Sequence, residues 1–99
     1  MTSASKQEKY DWHLYIIRCS NGDLYTGIST NVHRRLEQHM NNKGAQRLKG
    51  HGPLKLVYEQ FIGSYSKALR IEYKIKKLKK ENKEKLIKGE IKISNLFEK

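Results

Sequence analysis

The dipeptide Asn21-Gly22 constrains this chain more than any other feature. It lies between two runs of strand-forming residues, Leu14–Cys19 and Leu24–Ile28, and is the strongest short-range signal for a β-hairpin. Each run carries one tyrosine, Tyr15 and Tyr25, and the loop register decides their relation. A two-residue loop pairs Ser20 with Asp23 and sets Arg18 opposite Tyr25. Because side chains alternate along a strand, the two phenols then point to opposite faces. A three-residue loop, Ser20-Asn21-Gly22 with Gly22 left-handed, pairs Cys19 with Asp23. Tyr15, Ile17, Cys19, Asp23, Tyr25 and Gly27 then share a face. The second register is the expectation, since a site needs convergent groups. Read alone, the tyrosines are ordinary strand residues.

Both faces of the hairpin are apolar. Leu14, Ile16, Leu24 and Ile28 line one, and Ile17 and Cys19 join the tyrosines on the other. A sheet covered on both sides follows, an α+β arrangement of helices around strands. Thr30 or Asn31 caps a helix to about Met40, with Val32, Leu36 and Met40 as its buried stripe. Arg35 and His39 are four apart and lie side by side on a neighbouring face. A guanidinium suits a phosphate because its forked donors match two oxygens; both residues are also ordinary helix-surface and helix-end choices.

Residues 41–52 read as a loop in which Gly44, Gly50 and Gly52 alternate with Lys43, Arg47, Lys49 and His51. Glycines let backbone amides approach a phosphate, and the cations attract it. A third strand is expected over Leu54–Phe61, with Leu56 and Tyr58 on one face and Val57 and Phe61 on the other. Ser64 or Ser66 then caps a helix to about Lys80. Ala68, Ile71, Ile75 and Leu78 form its apolar stripe, widened by Leu69 and Tyr73. Glu72 falls inside that arc, where a carboxylate needs a metal ion or an ion pair with Arg35 or a lysine. A break near Lys79–Asn82 leads to a short helix ending at Lys88-Gly89. The tail 89–99 is an edge strand or a docked extension, and residues 1–11 are a mobile tail.

At 99 residues the chain is one domain with a modest core. Its formal net charge of +11 points to a polyanion, most simply nucleic acid. Cys19 is the single cysteine, which excludes an internal disulfide and a cysteine-based zinc site. With no apolar leader in the N-terminal residues, the cytoplasm is the expected compartment.

Four stretches in order resemble the GIY-YIG nuclease superfamily, and within it the small single-domain YhbQ-like bacterial group. They are His13-Leu14-Tyr15 followed by Tyr25-Thr26-Gly27, Ser29–His39, Gly44–Pro53 and Ser66–Leu78. His13 departs from the first glycine of the family pattern, and Thr26 from its second isoleucine. The resemblance implies a β-β-α-β-α-α domain over residues 12–88, with a three-stranded antiparallel sheet. It further implies an endonuclease that hydrolyses DNA phosphodiesters, in DNA repair or processing. Tyr15 would be the general base, Tyr25 would orient water or phosphate, and Arg35 would neutralise the phosphate. His39 would brace the site or shuttle a proton, and Glu72 would bind a single magnesium or manganese ion. Lys43, Arg47, Lys49, Lys76 and Lys79 would hold the nucleic-acid backbone. Some relatives carry a lysine after the second motif, where this chain has Ile28. The expected protein is a monomer whose specificity is weak or lent by a protein partner. The alternatives are a non-catalytic basic module for DNA or structured RNA, and an accessory domain acting through a protein.

Overall fold

The computed structural model describes residues 11–41, 50 and 52–97. The tail expected over residues 1–11, apart from Asp11, and most of the glycine-rich loop lie outside them. Strands β1 (Trp12–Arg18) and β2 (Leu24–Ser29) form the hairpin. Tyr15 pairs with Gly27, Ile17 with Tyr25 and Arg18 with Leu24. This is the three-residue-loop register: Cys19 N–H donates to Asp23 O at 2.8 Å, and Gly22 N–H donates to Cys19 O at 2.9 Å. Gly22 has a φ of 92°, the left-handed conformation that the loop demands of it. The Asn21 side chain accepts from Asp23 N–H at 3.0 Å and stiffens the turn.

Strand β3 (Lys55–Gly63) pairs antiparallel with the other side of β1, giving the order β2-β1-β3. Ile16 stands opposite Tyr58, whereas its neighbour Ile17 stands opposite Leu56. Val57 is therefore an extra residue in β3, and the strict alternation expected there fails. Tyr58 and Val57 join the core of one face, while Leu56 joins that of the other. The expected pairings of Leu56 with Tyr58, and of Val57 with Phe61, are both split by this bulge.

Central β1 is buried on both faces. Leu14, Ile16 and Leu24 pack with Ile71, Ile75 and Leu86 on one side. On the other, Tyr15, Ile17, Cys19, Val32 and Leu54 form a second cluster. That second side is covered by helix α1 (Val32–Met40), whose N-cap Asn31 accepts from Arg34 N–H at 3.0 Å. Its buried residues are Val32 and His39, while Met40 is 56% exposed. The expected stripe fails at its last member for a geometric reason. Two steps of four residues carry Met40 about 80° around the axis from Val32, whereas seven residues bring His39 back to within about 20°.

The first side is covered by α2 (Tyr65–Lys76), capped by Ser64. Ala68, Ile71 and Ile75 are buried, but Leu69 and Tyr73 are exposed and do not widen the apolar arc. At about 100° per residue they lie roughly 130° and 170° around the helix from the centre of the Ala68, Ile71 and Ile75 stripe. The break comes at residues 77–79, earlier than expected, and α3 (Lys80–Lys88) follows, ended by left-handed Gly89. Arg18 ties the hairpin to α3, with Nη1 and Nη2 donating to Glu84 Oε2 and Oε1 at 2.7 and 2.8 Å. That fork holds the Glu84 carboxyl below its ordinary value. The C-terminal segment is a docked extension rather than a strand. It forms α4 (Ile93–Phe97), and Ile91, Ile93 and Leu96 pack against the first cluster. Among the described residues, no helix is long and apolar enough to cross a membrane.

Among the described residues, one buried hydroxyl is mismatched with this core. Thr26 is 3% exposed and pairs with Ile16, yet its hydroxyl has no hydrogen-bond partner among the described residues. A desolvated, unpaired hydroxyl is destabilising. Thr26→Val, which keeps the shape, is expected to raise unfolding stability by about 1 kcal/mol in urea denaturation.

Candidate active site

The hairpin register places Tyr15 directly across from Gly27, and the two make the tightest approach in the site. A Cβ at Gly27 would sit 2.5 Å from the Tyr15 hydroxyl oxygen and 2.6 Å from Cζ. Only glycine lets the ring lie over the edge strand there. So placed, the Tyr15 hydroxyl comes within 3.0 Å of His39 Nε2 in a buried hydrogen bond. Tyr25 closes the group. Its ring centroid lies 6.4 Å from Tyr15 and 5.4 Å, edge-on, from His39. The two phenols and the imidazole thus gather on one face of the sheet, between the hairpin and α1.

Arg35 precedes His39 by one helical turn. Its Nη1 donates to Gln38 Oε1 at 2.8 Å, which holds the guanidinium in place. Burial pushes the His39 imidazole below its ordinary value, and the Arg35 charge adds to this. His39 is therefore neutral at pH 7. Burial and the neighbouring Tyr25 push the Tyr15 phenol up to about 12. The Arg35 guanidinium opposes this, through a side-chain hydrogen bond and its charge, and Glu72 reinforces it. The expectation that nearby cations help Tyr15 to ionise thus meets a stronger opposing effect, because the hydroxyl is desolvated.

The charge of Glu72, on α2, also raises the Tyr15 phenol, as the least of the effects that act on it. The Glu72 side chain is 18% exposed, at the margin of the buried arc rather than inside it, and it meets Lys76 Nζ at 3.2 Å. Lys76 is therefore engaged with the acid. Lys79 is exposed at the start of α3. Lys43, Arg47 and Lys49 lie outside the described residues. His13, in the place of the family's first glycine, lies between two carboxylates, with Nε2 3.9 Å from Asp11 and Nδ1 3.4 Å from Glu59.

Among the described residues, no three His, Cys, Asp or Glu side chains gather as a metal cage. Glu72 offers a single half-open carboxylate. That donor suits a magnesium-type ion, which keeps several waters and takes further oxygens from a substrate phosphate. One supporting residue, Gln38, lies outside those that the sequence points to. Gln38 is signalled only by its spacing of three from Arg35. Gly27 ends the Tyr25-Thr26-Gly27 motif and shares the tyrosine face, and its role as the seat of Tyr15 comes from the close approach of the ring.

A family model described as the GIY-YIG catalytic domain matches residues 11–85. A UPF0213 protein of Cronobacter sakazakii is 53% identical over 81 residues, covering 82% of this chain and 85% of that one. A UPF0213 protein of Serratia liquefaciens is 54% identical over 76 residues, covering 77% of this chain and 74% of that one. The solution NMR structure of a UPF0213 protein from Bacillus halodurans has a TM-score of 0.52 and 39% identity, covering 78% of this chain and 82% of that chain.

Gly27→Ala is expected to cost about 1–3 kcal/mol of stability by overpacking. It should also break the contact between Tyr15 and His39, which urea denaturation together with histidine NMR would register. Burial of neutral His39 makes a second prediction, with a definite sign. Below its ordinary value near 6.5, the unfolded chain takes up a proton that the folded chain resists. Stability therefore falls as pH drops below 6.5, and His39→Gln should flatten that slope in urea midpoints measured between pH 8 and pH 5.5.

Proposed function

Because this chain belongs to the GIY-YIG family, in the UPF0213 group, we propose that it is an endonuclease hydrolysing DNA phosphodiester bonds, in DNA repair or processing. The observation that supports this reading is the hydrogen bond between the Tyr15 hydroxyl and His39, with Arg35 and Glu72 both acting on the same phenol.

Hydrolysis needs a deprotonated attacking oxygen and neutralised phosphate charge. A phenol that ionises near 12 is a poor free base at pH 7, but it need not ionise first. The Tyr15 oxygen takes a proton from the attacking water as its own hydroxyl proton passes to Nε2 of neutral His39. The imidazole is the final acceptor, and Tyr15 is the bridge. This arrangement needs no lysine beside the second motif, where Ile28 stands. Tyr25, edge-on to His39, orients the water or the phosphate. Arg35, fixed by Gln38, neutralises a non-bridging oxygen. Glu72 would hold one divalent ion, magnesium or manganese, with Lys76 moving from the carboxylate to the phosphate. When bound, such an ion would supply charge neutralisation to the reacting phosphate.

A second reading is a non-catalytic nucleic-acid module. It is favoured by the resting pairing of Glu72 with Lys76 and by the high pKa of Tyr15. Incubation with nicked or branched DNA, with and without magnesium, separates the two. Glu72→Gln is expected to lower cutting at least about 100-fold while binding is retained. His39→Ala is expected to lower cutting by about 100-fold or more. Binding without magnesium-dependent cutting in the unmodified protein would support the module instead.

A further inference from the structure

Away from the phenol face, an open groove of about 800 Å³ runs between β3, α2 and the segment after α3. Its floor includes Ile62, Leu86 and Ile91. Its rim carries Lys67, Arg70 and Lys92, and none of the residues lining it is acidic. All three cations are exposed, and among the described residues none of them pairs with a carboxylate. Such a volume falls within the range of ligand-binding clefts.

Three observations narrow the occupant. The groove is lined by β3 residues from Tyr58 to Ile62, so it follows the strand for roughly 15 Å. With the sheet order β2-β1-β3, β3 has a strand neighbour on one side only among the described residues. At Phe61 its carbonyl accepts from the side chain of Gln60 at 3.2 Å, a bond of the kind that an incoming strand can replace. Apolar floor and cationic rim together call for apolar side chains alternating with acids. A second copy of the chain fits poorly, since each carries a net charge of +11. A nucleic-acid backbone would meet the rim but leave the apolar floor uncovered.

We propose that this groove receives an extended acidic segment of a protein partner, which adds to the free edge of β3, seats its apolar side chains among Ile62, Leu86 and Ile91, and sets its carboxylates against Lys67, Arg70 and Lys92. By helical spacing, Lys67 and Arg70 lie on the flank of α2 turned away from Glu72. The partner therefore leaves the catalytic face open, and the interaction does not depend on the nuclease reading.

The test uses the full chain and a fluorescein-labelled peptide, Gly-Glu-Ile-Glu-Ile-Glu-Gly, with one counterpart bearing Lys for Glu and another bearing Ser for Ile. Fluorescence anisotropy should give saturable binding of the first peptide and at least about tenfold weaker binding of both counterparts. Arg70→Glu and Lys67→Glu, both at exposed positions, should each weaken the first peptide by about tenfold. Methyl resonances of Ile62 and Ile91 should shift on titration while that of Ile17 stays fixed. Equal binding by the charge-reversed proteins, or shifts confined to Ile17 and its neighbours, would overturn the proposal. So would sodium laurate moving the groove methyls when the peptide does not, which would assign the groove to an anionic amphiphile. Self-association of the chain through this face would overturn it equally.

Discussion

The seating of one phenol over one glycine organises the functional face of this protein. Tyr15 sits on the central strand, buried on both sides, and its hydroxyl reaches His39 only by lying across Gly27 of the edge strand. The space is set by the hairpin register, and the register by a left-handed residue at Gly22. A shift of one residue would turn Tyr25 to the opposite face and remove Gly27 from beneath the ring. A turn some distance from the site thus fixes the geometry of the site itself.

The electrostatics follow from that burial. Taken out of water, both partners of the central hydrogen bond are driven toward their neutral forms, the imidazole by lowering its pKa and the phenol by raising it. A neutral donor beside a neutral acceptor is the resting state that a proton relay requires. The charged groups, Arg35 and Glu72, act on this pair from helices on the two faces of the sheet. Each has a local partner, Gln38 and Lys76 respectively. Lys76 thus neutralises Glu72, whereas neutral Gln38 holds the Arg35 guanidinium without cancelling its charge.

The sequence carried the hairpin, the two-sided core and, as one of two candidates each, both helix caps, because these depend on chemistry within a few residues; the register was open between two loops and rested on the need for convergent groups. Asn21-Gly22 selects a loop, and Asn31 and Ser64 accept from the backbone of the next turn. It also carried the residues that meet at the phenol, through resemblance to a known motif order. What it did not carry depends on the third dimension. The bulge at Val57 arises from pairing between strands some forty residues apart, so strict alternation misplaced Leu56 and Val57 relative to Tyr58. Four-residue spacing was read as a stripe in α1, although its rotation around the axis exposes Met40, and Leu69 and Tyr73 were counted in an arc that lies on the other side of α2. The deep burial of His39, and the docking of the C-terminal helix, follow from which helix faces meet the sheet.

The central claim is that His39 Nε2 is a bare acceptor for the Tyr15 hydroxyl proton. Long-range proton–nitrogen NMR correlation at neutral pH reads this directly. The account predicts a neutral imidazole with its hydrogen on Nδ1, and an Nε2 resonance displaced in Tyr15→Phe. A hydrogen on Nε2, or an Nε2 resonance indifferent to Tyr15→Phe, would contradict it.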